Sequence, residues 1–133
     1  MATTRGRIVQ INQVVFDQAD FFEADGFTRK VGLGLADLTH QVFFENDLQP
    51  WPLVDGTTVL DSKVRSGQVY WQEVTGSPGF YNIRWRPNAT GYWRILITYV
   101  AGTQIMGQDF DVVSQVPAGE TGLRASFTKP CSG

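Results

Sequence analysis

His40 and Cys131 are the only histidine and the only cysteine in the chain. Zinc sites need several such ligands at short spacings, and the sequence does not supply them. A nucleophile–base pair would need His40 beside a serine or beside Cys131. A lone histidine next to a turn reads instead as a surface or hydrogen-bonding residue. Asp17, Asp20, Glu23 and Asp25 are close enough in sequence to gather around calcium. They do not follow the twelve-residue calcium loop, however, and read as a solvated acidic connection. Asp109 and Asp111 stand at i, i+2 on one strand face. Glycoside hydrolysis would hold two such acids roughly 5–10 Å apart across a cleft, and nothing in the sequence marks one. Neither standard glycine-rich phosphate loop is present. Asn88-Ala89-Thr90 matches a glycosylation sequon and reads as a turn. The sequence therefore calls for no catalytic residue, no metal and no cofactor.

Residues suited to binding are easier to find. Arg84, Arg86 and Arg94 alternate with aromatic and aliphatic residues on two consecutive strands. If those strands are neighbours, the three guanidinium groups share one outer sheet face and form a basic patch for an acidic partner or for nucleic acid. The competing reading is an ordinary polar face whose arginine stems cover apolar surface. Trp51 stands between Pro50 and Pro52. Exposed, it would be a platform for a sugar ring or an anchor for a partner; buried, it would plug the core. Leu123 and Phe127 are the principal large apolar residues of a small, polar, Gly/Pro-rich tail from Ser114 onward. Both are candidates for contact with a partner.

These residues need a scaffold, and the stretch from Gly79 to Tyr99 supplies its centre. It holds two of the four tryptophans and three of the four tyrosines. Tyr81, Ile83 and Trp85 alternate with Asn82, Arg84 and Arg86, a period of two with one apolar face. Pro87 ends that run, and Asn88 to Gly91 supplies turn residues. Trp93, Ile95, Ile97 and Tyr99 resume the apolar face. Further strands are expected over 6–16, 27–35, 42–44 and 67–75. Asp55-Gly56 predicts a hairpin turn joining Leu53-Val54 to Val59-Leu60. Asp17 to Gly26 reads as a connection. A last strand runs from Ile105 to Val113. Seven to nine short strands with turns every 8–12 residues predict an all-β sandwich.

A chain of 133 residues makes one ordinary domain with a sizeable core. Its composition, 42% hydrophobic and 18% charged, is that of a folded protein rather than a disordered one. A net charge of −2 gives no general attraction to nucleic acid or anionic membrane. No apolar run approaches the roughly 20 residues needed to span a bilayer. The first sixteen residues lack the apolar core and cleavage site of a secretory signal. One cysteine cannot form an internal disulfide, so folding in a reducing cytoplasm is the expectation.

Residues 27–113 resemble an immunoglobulin-like sandwich. GFYNIRWRP, the NATG corner, YWRILITYV and IMGQDFDVV are similar to the last three strands of such domains. The resemblance puts Trp93 where the family's corner carries tyrosine, and Ile95 where antibody domains carry their second cysteine. VFFENDLQPWPLVDG and SGQVYWQEVTGSPGFYNIRW, in so small a chain, resemble accessory structural proteins of tailed-phage virions. The resemblance implies an immunoglobulin-like antiparallel β-sandwich over 27–113. It would be flanked by an N-terminal strand or arm with its connection over 1–26 and an extended tail over 114–133. It also implies a non-enzymatic virion protein, in a capsid decoration or a tail, made in the host cytoplasm. Its partners would be other virion subunits or further copies of itself. Both ends would order only against a neighbouring subunit. The rival expectation is a carbohydrate-binding module built on exposed aromatics such as Trp51.

Overall fold

The computed structural model describes residues 6–115. Two mixed β-sheets pack face to face around one apolar core. Nine strands run in chain order: β1 (Arg7–Gln10), β2 (Val15–Ala19), β3 (Leu38–Phe44), β4 (Asp47–Gln49), β5 (Leu53–Asp55), β6 (Val69–Glu73), β7 (Tyr81–Trp85), β8 (Gly91–Tyr99) and β9 (Gln104–Val113). The five-stranded sheet has the order β1-β9-β8-β3-β4, and the four-stranded sheet β2-β7-β6-β5. Short 3₁₀ turns cover Leu35–Asp37 and Asp61–Lys63.

The central period-two reading holds. Tyr81, Ile83 and Trp85 on β7 and Trp93, Ile95 and Ile97 on β8 are all at most 2% exposed. They meet across the sandwich: the Trp85 and Trp93 rings lie 5.4 Å apart, and Phe110 sets its edge on Trp85 at 5.0 Å. Trp93 also closes the corner before its strand, its Nε1–H donating to the Ala89 carbonyl at 3.0 Å. The β3–β4 hairpin turns on Glu45 and Asn46, both left-handed at φ 49° and 72°, as a two-residue loop demands. Gly91 opens β8 at φ 139°; a Cβ there would lie 2.6 Å from the Glu45 carboxylate and 2.8 Å from the Phe44 ring.

Several expectations need correction. The sheets are not wholly antiparallel, because β1 runs parallel to β9 and β5 parallel to β6. Of the strand or arm expected within residues 1–26, the strand forms: the segment is built into the sandwich from Arg7 onward. β1 joins one sheet, β2 joins the other, and Val15, Ala19 and Phe21 are core residues. No strand forms over 27–35: Gly26 and Gly32 are left-handed, and Phe22 makes an isolated bridge with Arg29. Asp55-Gly56 makes no hairpin either. The chain leaves β5, loops through residues 56–68 and returns as its parallel neighbour β6. Leu123, Phe127 and Cys131 lie outside the described residues.

Asp17 sits between Val15 and Ala19, on the inward side of β2. One carboxylate oxygen accepts from the Gln18 N–H at 2.9 Å; the other is buried without a hydrogen-bond partner. Burial pushes the Asp17 carboxyl above its ordinary value, against the pull of the Gln18 N–H and of Arg7. An acid raised on folding contributes stability below its unfolded value, and that contribution fades as pH rises through its folded value. Asp17→Asn is therefore expected to raise stability at neutral pH, with the difference vanishing below about pH 4. Urea denaturation of both forms from pH 3 to 8 checks this; an unchanged gap across that range would contradict it.

Candidate partner-binding surface

Trp51 and Arg84 are buried, and Arg94 is exposed. Trp51 is 7% exposed and packs on Trp93 at 5.1 Å and Trp85 at 6.2 Å. It plugs the core, the second of the two readings its sequence left open, and is not exposed as a platform for a sugar ring. All four tryptophans are buried. His40 is used locally, its Nε2–H donating to the Trp51 carbonyl at 2.6 Å.

The three arginines do not share a face. β7 and β8 follow one another in sequence but belong to different sheets, so Arg84 and Arg86 are separated from Arg94 by the core. Arg84 is 5% exposed. Its guanidinium donates to the carbonyls of Val59 at 2.7 Å and Gly56 at 2.6 Å, and to the Asp61 carboxylate at 2.9 Å. Arg86 donates to the carbonyls of Val64 and Asn12. Both pin the loop after β5 over the outer side of their sheet. Arg94 is exposed and paired with Asp109 at 2.8 Å, which holds the Asp109 carboxyl below its usual range.

What does face solvent is concentrated elsewhere. Among the described residues eight large apolar side chains are exposed: Phe16, Phe27, Val31, Leu35, Leu48, Leu60, Val100 and Ile105. Five of them, Phe27, Val31, Leu35, Val100 and Ile105, belong to one end of the sandwich. They lie on the loop joining β2 to β3 and around the turn joining β8 to β9. Isolated exposed apolar residues need no explanation, whereas a contiguous apolar patch would.

Phe27 is the most exposed of the group, at 86%. It stands at the tip of a hairpin-like excursion from Phe21 to Lys30. The Lys30 N–H donates to the Phe21 carbonyl at 2.6 Å, and the Glu23 N–H to the Thr28 carbonyl at 2.8 Å. At the tip, the Asp25 carboxylate accepts from the N–H groups of Phe27 and Thr28 and from the Thr28 hydroxyl, at 2.7–2.9 Å. These bonds, the Thr28 N–H foremost, hold the Asp25 carboxyl below its ordinary value. Gly26 supplies the left-handed residue at φ 76°.

The base of the excursion is fixed as well. Phe21 is buried in the core. The Gln104 side chain clamps the backbone of Phe22, accepting from its N–H at 2.8 Å and donating to its carbonyl at 2.7 Å. Arg29 lies over the Phe80 ring at 4.2 Å and pairs with Asp20 at 3.3 Å. A preformed loop loses little freedom on binding, so more of its contact energy appears as affinity.

Sequence reasoning missed this end because it placed Phe27 in a strand. The available signal was Asp25-Gly26, as much a turn dipeptide as Asp55-Gly56. Among the described residues no three His, Cys, Asp or Glu side chains gather where they could hold a metal ion. None of the described helices is long and apolar enough to cross a membrane. No protein-family model matches the chain, and no curated protein matches it.

Proposed function

We propose that the protein is a non-enzymatic interaction protein that docks onto a larger protein assembly through the loop end carrying Phe27. The observation that carries this reading is an aromatic side chain, 86% exposed, on a turn fixed by its own hydrogen bonds. Burying such a side chain in a partner stabilises the complex without help from the fold itself. Aromatic anchors of this kind dominate protein interfaces. The carboxylates nearby are engaged in turns and ion pairs, with Asp20 on Arg29 and Glu23 on Lys30.

We read the sandwich as immunoglobulin-like. β2-β7-β6 correspond to strands B-E-D, and β1-β9-β8-β3-β4 to A′-G-F-C-C′. The Trp93 indole takes the place of the corner tyrosine. In variable domains the loops after B and F share one end and carry recognition. Here those are the loops bearing Phe27 and Val100. The assembly we assign is a tailed-phage virion, on the resemblance of the segments around Trp51 and Trp71 to virion accessory proteins.

Phe27→Ser tests the docking. Its melting temperature should match the parent's, because the side chain is 86% exposed, while co-sedimentation with stripped particles should fall at least tenfold. Undiminished co-sedimentation would overturn the assignment of this end.

A further inference from the structure

We propose that the seam between β1 and β2 is a gate worked by the charge of Asp17: it is shut over the protonated carboxyl, and β1 lifts when the carboxylate forms. Among the described residues, β1 and β2 are edge strands of the two different sheets, each paired on one flank only. Between them runs a groove of about 340 Å³ lined by residues of both strands, Arg7 and Phe16 among them. Asp17 follows Phe16 on β2 and turns inward, between the core residues Val15 and Ala19. Its second carboxylate oxygen is buried without a hydrogen-bond partner. A carboxylate held in that way costs free energy that hydration would recover, whereas a neutral carboxyl costs far less.

β1 closes the sandwich on this side, and Arg7 is its bolt. The Arg7 guanidinium lies over the Phe110 ring at 5.1 Å and donates across the seam to the Phe16 carbonyl at 2.6 Å. Arg7 is also the charged group that acts on Asp17, while Ile83, opposite Asp17 on β7, is apolar. Its attraction steadies the carboxylate in the shut form and so resists opening. Burial outweighs that attraction and leaves the carboxyl above its ordinary value. An acid raised in the shut form and hydrated in the open one favours opening as pH rises, and the effect levels off above the shut-form value.

β1 is the part that moves. It has four residues and none is fully buried, whereas β2 buries Val15 and Ala19. It is held by its parallel ladder to β9 and, just beyond it, by the Ile11 N–H on the Val113 carbonyl at 2.9 Å. A short edge segment with little buried surface opens at far lower cost than the whole fold. Lifting it hydrates Asp17 and uncovers the flank of β9 from Phe110 to Val113.

Hydrogen exchange of the full chain between about pH 4 and about pH 8 reads the gate, each rate being divided by the intrinsic rate at the same pH. Protection of the Ile11 amide should fall by about threefold or more over that range. Its exchange should barely respond to low urea, the mark of a local opening, while the amides of Ile95 and Ile97 on β8 respond fully. Asp17→Asn should abolish the fall with pH. Arg7→Gln should deepen it, because the shut carboxylate then loses the cation that steadies it. If Ile11 follows urea as steeply as Ile95 and Ile97, it exchanges by unfolding of the whole domain and the proposal is overturned. Protection that stays flat with pH in the parent, or a fall that survives Asp17→Asn, would overturn it as well.

Discussion

Trp93→Ala is expected to lower the unfolding free energy by about 3–5 kcal/mol, while Arg94→Ala lowers it far less. The two residues are neighbours on β8 and face opposite ways. Trp93 is 1% exposed and contacts Phe44 at 4.8 Å, Trp51 at 5.1 Å and Trp85 at 5.4 Å. Truncation removes a large buried aromatic from between rings that can collapse only partly, and it frees the Ala89 carbonyl that the indole satisfied. Arg94 offers an ion pair on an open sheet face, where water competes for both partners. Urea denaturation of both variants checks the contrast. Comparable midpoints would contradict the strand phase on which the whole core depends.

Arg84→Ala is expected to cost about 3 kcal/mol or more, though its side chain points away from the core. Its removal strands the carbonyls of Gly56 and Val59 under a loop, and an unsatisfied buried acceptor costs about 1–3 kcal/mol. It also breaks the contact with Asp61. Arg84→Lys should recover only part of this, because an ammonium cannot fork to acceptors on both sides of the loop. Hydrogen exchange gives the local readout: amides over 56–66 should lose protection first. If Arg84→Ala melts like the parent, the arginine is not what holds the loop.

These two residues also show what the sequence disclosed and what it hid. Alternation over 81–85 and 93–97 assigned the inward faces of β7 and β8, because period two survives wherever one sheet face is buried. It also placed Arg84 on the outer face. It did not reveal that residues 56–66 fold back over that face, since a covering loop leaves no mark on the strand's periodicity. Arg84 and Arg94 were expected on neighbouring strands because β7 and β8 are consecutive. The corner through Pro87 and Gly91 instead carries the chain from one sheet to the other.

The same limit explains the remaining errors. β1 pairs with β9 across about a hundred residues of sequence, so the N-terminal segment was legible as an edge strand or an arm, but not which strand it joins. Trp51 read as ambiguous between flanking prolines, and its burial depends on Trp85 and Trp93 arriving from both sheets. Phe27 to Leu35 alternates like a strand, yet left-handed Gly26 and Gly32 break it into turns. The end carrying Phe27 was hidden for that reason. Its apolar residues imitate a strand's buried face while facing water.

The central claim is that the protein binds its assembly through this end. An electron-microscopy reconstruction of the assembled particle reads it most directly. The account predicts the loop of residues 20–37 and the turn of residues 100–103 against the neighbouring subunit, with Phe27 inserted in an apolar pocket. Density that places this end in solvent, with the protein held by another surface, would contradict it.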